Sequence, residues 1–274
     1  MDNEIKKIFS ENSTSYYYSS LVFPKSVRDD VFKLYAYVRT ADDLVDDEPQ
    51  DAEALEEMRR RTFDNWESGE SGDKVVDLFL EVAREKDFKR EWVEAFLDSM
   101  EMDLHKSEYS DLDETLDYIH GSAEVIGLMM CRVLDLNEEA FHSAKMMGRA
   151  MQFCNFIRDI EEDNSLGRQY MPTEELEKHG LNDLTKDEAE DNSEEFKAFM
   201  NSQLEKYWSW QTDAEKGLCY LPYRVRVPVI LSSRLYKYTA GQIEERPLRV
   251  YEEKIRPSKP RILFELLISL LGRK

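Results

Sequence analysis

A chain of 274 residues is long enough to bury a sizeable core, as one large domain or two small ones. Asp and Glu outnumber Lys and Arg by 58 to 37, a formal charge of −21 with a pI near 4.7. That balance excludes general affinity for nucleic acid, whose phosphate backbone would be repelled, so an anionic substrate needs a bound cation or a local basic cluster. The acid surplus also matches a surface kept hydrated in a salt-rich cytoplasm, although lysine stays frequent.

Cys131, Cys154 and Cys219 form no Cys-x-x-Cys pair, which suggests a reduced intracellular protein with thiols used as small core residues. The stretch Met1 to Ser10 is charged and lacks the apolar centre of a signal peptide. No apolar run reaches the about 18 residues that span a bilayer, and the longest, Ile262 to Leu271, contains Glu265. The expected location is the cytoplasm, with peripheral contact at the cytoplasmic face of a membrane as the most the sequence allows.

Helix signals run throughout and strand signals are almost absent. Glycines and prolines cluster between periodic segments, as helix connectors do. After a polar start and Phe23-Pro24, a helix is predicted from about Lys25. Val27, Val31, Leu34, Val38, Ala41 and Val45 form its apolar stripe. Beside them Tyr35, Arg39, Asp42 and Asp46 make a polar stripe that borders the buried one and so faces a cavity edge. Helices follow at roughly 51–67, 73–86 and 90–106. Gly121 and Gly127 lie inside the apolar segment Leu112 to Leu136; each costs about 1 kcal/mol relative to Ala, which marks close packing or room for a ligand.

One long helix is predicted over 137–163. On it Gln152, Asn155, Asp159 and Asp163 fall at i, i+3, i+7 and i+11, a single oxygen-rich strip. Gly167 ends that helix, and Arg168, Tyr170 and Pro172 follow in a short turn. Residues 181–195 read as acidic surface loop running into an amphipathic helix with Phe196, Met200, Leu204 and Tyr207. Pro222 and Pro228 predict a kink or break between them. The tail from Lys254 to Arg261 is basic and precedes an apolar helix, which either lies on an anionic bilayer or packs against the domain. The economical architecture is all-α: one helical domain over 1–274, its basic and apolar tail starting near 254.

A lone Asp-x-x-x-Asp on a helix reads as a solvated face. Two such strips, each edged by apolar residues and each with an Arg on the same helix, read differently. Four aspartates on two facing strips are costly unless something positive neutralises them. Mg²⁺ is usually held by one or two carboxylates plus substrate phosphates, so the strips suggest a diphosphate bridged to protein through Mg²⁺. Arg39, Arg158 and Arg168 can add charge-assisted hydrogen bonds to phosphate oxygens. Drawing electrons toward the diphosphate promotes ionisation of an allylic C–O bond. The four histidines show no metal-binding spacing, and no Walker loop, nucleophile elbow or dinucleotide fingerprint is present.

Ser13 to Tyr18 with Phe23-Pro24, Leu34 to Asp47, Gly121 to Met129 and Gln152 to Pro172 together resemble the squalene/phytoene synthases, the head-to-head isoprenoid synthases, in family order. The resemblance implies an isoprenoid-synthase helical bundle around a central cavity. It implies Mg²⁺, or Mn²⁺ in its place, held by Asp42, Asp46, Asn155, Asp159 and Asp163. Tyr35, Arg39, Gln152, Arg158, Arg168 and Tyr170 match positions near the diphosphates or reacting carbons, and Ser13 and Tyr16 join the substrate-binding set. Two allylic diphosphates would condense to a cyclopropylcarbinyl diphosphate, which a second ionisation rearranges. The Gly121 to Met130 wording is closer to phytoene synthases, which implies geranylgeranyl diphosphate as substrate and no NADPH. Dehydrosqualene or squalene formation from farnesyl diphosphate is the alternative within the class. A non-catalytic binding or assembly protein is the alternative outside it, although such a relative should have lost acids and all four are present. Ser122 and Glu124 depart from the commoner Val and Gly; Glu124 is either a polar group near the cavity or a helix-facing substitution. Asn12 departs from a common His.

Overall fold

The computed structural model describes residues 19–271, so Asn12, Ser13 and Tyr16 lie outside the described residues. Among the described residues there are thirteen α-helices and no strand. The first half holds α1 (Lys25–Asp46), α2 (Ala52–Asp64), α3 (Lys74–Glu85), α4 (Arg90–Met102), α5 (Leu112–Ile119) and α6 (Val125–Val133). The second holds α7 (Phe141–Arg158), α8 (Ile160–Ser165), α9 (Thr173–Lys178), α10 (Lys186–Asp191), α11 (Ser193–Glu215), α12 (Tyr223–Glu245) and α13 (Lys259–Leu271). Hydrogen-bonding caps mark several starts: Asp51, Asp73, Asp111 and Thr185 each accept from a backbone N–H of the first turn.

α1 is apolar on more than one face, and this decides its place. Phe32, Ala36 and Tyr37 are buried alongside Val31, Leu34, Ala41 and Val45. Tyr37 stacks on Phe79 of α3 with ring centroids 3.8 Å apart, and its hydroxyl meets Thr62 Oγ1 of α2 at 2.9 Å. One buried cluster joins α1 to α4 with α6; a second joins α5, α7 and α9 to α12. A cavity of about 920 Å³ is lined from both clusters, by Leu34, Phe96 and Met100 on one side and Tyr118, Phe156 and Tyr170 on the other.

The glycines expected to mark close packing do so. A Cβ on Gly127 would collide with the Ala144 carbonyl of α7, and one on Gly148 would collide with the Ala123 carbonyl. α7 thus lies backbone-to-backbone against the α5–α6 wall.

Five expectations need correction. The helix expected over 137–163 starts as a 3₁₀ turn (Glu138–Ala140) and breaks at Asp159, whose ψ of 17° leaves the α region before α8 resumes. Backbone bonds from Asp159 N to Asn155 O and from Asp163 N to Asp159 O, both 2.8 Å, still carry the ladder across the break. The segment expected as one helix from 112 is interrupted by a π-helical turn, His120–Glu124. Pro228 breaks nothing: α12 runs through it, while Pro222 sits at the N-cap position. The acidic stretch 181–195 contains α10 and the start of α11. Among the thiols, Cys131 and Cys154 are buried as expected, but Cys219 is exposed.

Candidate active site

The site is built where the C-terminal half of α1 faces the end of α7. Tyr35, Arg39, Asp42 and Asp46 from α1 share the cavity lining with Gln152, Asn155, Arg158, Asp159 and Asp163 from α7 and α8, and with Arg168 and Tyr170 from the loop after α8. Every described residue of the expected metal- and substrate-binding set therefore reaches one cavity.

The carboxylates are crowded. Burial, reinforced by Asp46, pushes Asp42 up to about 7. Burial also raises Asp163 well above the carboxylate range, with Asp159, Glu162 and, from the opposite strip, Asp46 adding repulsion. Three arginines answer them. Arg39 pairs with Asp42 and, at 2.5 Å, with Asp43. Arg158 holds Asp159 with two bonds of 2.8 and 2.5 Å. Arg168 Nη1 donates to Asp46 Oδ1 at 2.5 Å while Nη2 donates to the Val45 carbonyl at 2.5 Å. Burial raises the Tyr35 phenol to about 12, so it stays protonated beside Arg39.

Gly167, at φ 68°, ends α8 in the left-handed conformation that glycine tolerates and turns the chain back toward α4. Gln169 N bonds to Ser107 O at 2.7 Å, and Thr115 Oγ1 bonds to the Tyr170 carbonyl at 3.0 Å. These ties hold Arg168 and Tyr170 over the end of α4. Phe156 stacks on the Tyr170 ring at 4.3 Å.

Three residues the sequence reading missed belong here. Asp103, just past α4, accepts from Tyr118 at 2.7 Å and from Tyr170 at 2.8 Å. Lys254 pairs with Glu162 and lies 3.6 Å from Asp159, and Arg256 lines the same cavity. The basic tail thus begins inside the site. No sequence signal marked Asp103, a single acid without a periodic partner; the run of bases from Lys254 was the signal for the other two.

The donor set suits a hard divalent cation. Its oxygens come from Asp42, Asp46, Asp159 and Asp163, and Asn155 adds an Oδ1 that is buried with no protein partner. Among the described residues no three His, Cys, Asp or Glu side chains converge as a ready-made cage, because the aspartates engage the arginines and Lys254 instead.

Glu124, left open by the sequence, does not line the cavity. It is buried on the other side of the π turn, where Arg149 Nε meets it at 2.6 Å, His120 at 2.9 Å and Lys145 at 3.1 Å. Ser122, two residues earlier, does line the cavity.

Relatives match almost the whole length of the chain. A 15-cis-phytoene synthase of Pantoea ananas is 26% identical over 279 residues, covering 97% of this chain and 90% of its own. The chloroplastic phytoene synthase 2 of Solanum lycopersicum is 26% identical, covering 96% and 87%. In fold, a dehydrosqualene synthase crystal structure superposes with a TM-score of 0.84 at 20% identity, covering 98% of this chain and 97% of that one. A squalene synthase from Alicyclobacillus acidocaldarius gives 0.77 at 21%, covering 90% and 93%. The family model described as squalene/phytoene synthase matches residues 9–262, and with it the chain belongs to the squalene/phytoene synthase family, a family of prenyltransferases.

Proposed function

We propose that this prenyltransferase condenses two geranylgeranyl diphosphates head-to-head to phytoene. The observation that carries this reading is the pairing of two aspartate strips, with Arg39, Arg158, Arg168 and Lys254 among them, in a cavity whose remaining lining includes Leu34, Phe96, Ile126, Met130, Met147 and Phe156. The identity of curated relatives as phytoene synthases favours the twenty-carbon substrate and a route without NADPH. Asp42, Asp46, Asn155, Asp159 and Asp163 would hold Mg²⁺, which supplies charge neutralisation for the departing diphosphate. The arginines add hydrogen bonds to its oxygens.

The remainder of the reaction falls to side chains further into the cavity. Ionisation leaves an allylic cation among Phe96, Phe156 and Tyr170, whose ring faces stabilise positive charge, and Met130 and Met147 exclude water around the chains. The second chain attacks to form the cyclopropylcarbinyl diphosphate, and its ionisation opens the ring. Product analysis with fifteen- and twenty-carbon diphosphates, with and without NADPH and with Mg²⁺ chelated or supplied, tests the reading. The expected product is a forty-carbon hydrocarbon formed without NADPH and only with the metal. A thirty-carbon product from farnesyl diphosphate would move the assignment to dehydrosqualene or squalene synthesis.

A second feature supports contact with an anionic bilayer. Leu263, Phe264, Leu267, Leu270 and Leu271 of α13 are exposed, at spacings that put them on one helical face, while Ile262, Glu265 and Ser269 face the protein. Arg256, Lys259 and Arg261 precede that face. The acid within it, Glu265, is buried and held by Arg234 at 2.6 Å and Arg261 at 2.5 Å. An apolar strip flanked by bases fits anionic headgroups, and the substrate and product are both greasy.

A further inference from the structure

Behind the aspartate strips lies a carboxylate that neither metal nor diphosphate binding requires. Asp103 is 6% exposed, and each of its oxygens accepts a phenol hydrogen, Oδ2 from Tyr118 and Oδ1 from Tyr170. The two phenols come from separate elements, α5 and the loop after α8, and their ring centroids lie 5.0 Å apart. All three side chains line the cavity. Burial raises Asp103 to about 6 against the hydrogen bond from Tyr118, so the group is ionised near neutrality yet more basic than an ordinary aspartate. Arg168 attracts negative charge here, while Asp42 and Asp46 of α1 repel it. Tyr109 completes the surroundings, its ring 5.7 Å from that of Tyr118.

Resting on the head-to-head reading above, we propose that Asp103 is the proton sink for both deprotonations of the reaction, reached through Tyr118 and Tyr170. A route without hydride releases two C–H protons. In the first half, the second chain's double bond attacks C1 of the ionised chain, and a C–H pair on that attacked carbon then closes the cyclopropane ring onto the cation left on the second chain. In the second, a C–H pair beside the rearranged cation becomes the central C=C bond. Each time the proton passes to a phenol oxygen as that phenol's own hydrogen moves to Asp103. The first proton is handed on to the first departing diphosphate, which restores the carboxylate before the second ionisation. No electrons are gained or lost by the protein.

The test is rapid-quench product analysis of the full-length protein with Mg²⁺ and allylic diphosphate, on wild type, Asp103→Asn, Asp103→Glu, Tyr118→Phe and Tyr170→Phe. General-base assistance is worth about 10²–10⁴-fold. Asp103→Asn should therefore lower hydrocarbon formation by about 10²-fold or more, with carbon diverted to water-captured alcohols. Asp103→Glu should recover about tenfold. In wild type the hydrocarbon-to-alcohol ratio should fall in D₂O, and Asp103→Asn should abolish that dependence. Each Tyr→Phe variant keeps its ring and should slow one half-reaction more than the other, read with added cyclopropylcarbinyl diphosphate; these variants carry the test if Asp103→Asn does not fold. Wild-type product ratios in Asp103→Asn, or equal ratios and half-reaction rates in both phenylalanine variants, overturn the proposal alone. No product from wild type with either chain length overturns it together with the head-to-head reading.

Discussion

Glu124 shows how far a single side chain can be committed to structure next to an active cavity. Burial alone would raise its carboxyl, but hydrogen bonds from His120, Arg149 and Lys145 hold it near 2, below its ordinary 4.5. A depressed folded value means a contribution to stability that is present above about 4.5 and lost as pH falls toward about 2. With its side chain 2% exposed, the contribution is on the order of 2–3 kcal/mol. Glu124→Gln should lower stability at pH 7 by about that amount, measured by urea unfolding. It should also give a shallower loss between pH 4.5 and 2 than wild type, because nothing at position 124 then titrates. An unchanged midpoint at pH 7 would show that the three cations are satisfied without it. At this scale the sequence was half legible. Glu124 stood out as a departure, but nothing in the sequence said which side of the π turn it would take. Asp103 was silent for a related reason: its partners, Tyr118 and Tyr170, are 15 and 67 positions away. Asp42 was legible because Arg39 lies one turn before it on the same helix, and Asp46 because Asp42 precedes it by one turn on the same face.

At the scale of elements, the spacing of the strips was readable because a helix fixes its own faces, whereas the places where helices deform were not. The break at Asp159 has neither Gly nor Pro to announce it, and the π turn at His120–Glu124 arises from tertiary contact: Gly121, at its start, lies against the Ala95 carbonyl of α4. Those contacts also register the site. α7 carries Gln152 and Asn155 one and two turns beyond Gly148, which rests on the Ala123 carbonyl. Gly148→Val would push α7 away from the π turn by the width of a side chain. Overpacking of this kind costs about 1–3 kcal/mol. The variant should therefore unfold at lower urea and lose more turnover than that destabilisation accounts for, because the strip on α7 moves relative to α1. Wild-type turnover per folded molecule would show that the strips tolerate the shift. Gly241, on α12, meets nothing within 4 Å of an added Cβ, and Gly241→Ala is the matched control.

Across the whole molecule, a formal charge of −21 is at odds with binding any anionic surface. The conflict is resolved locally rather than globally. From Lys254 onward the chain carries Lys254, Arg256, Lys259, Arg261, Arg273 and Lys274 against the single acid Glu265, whose charge Arg234 and Arg261 neutralise. Lys254 and Arg256 both line the active cavity, so the share of this patch outside it begins at Lys259. No helix of the described residues is long and apolar enough to cross a membrane, which leaves lying on the surface as the geometry open to α13. Removing Leu263, Phe264 and Leu267 to Ser strips about half of the exposed apolar face without touching Ile262, Glu265 or Ser269, the residues that hold α13 to α12. The triple variant should keep the wild-type thermal midpoint and lose sedimentation with vesicles containing phosphatidylglycerol. Wild type should sediment with them, less so in high salt, and not with vesicles of phosphatidylcholine alone, because each base near an anionic surface adds about 1 kcal/mol that salt screens. Equal sedimentation of variant and wild type would show that α13 is not the contact. Failure of wild type to sediment at all would leave its apolar face to be explained by something other than lipid.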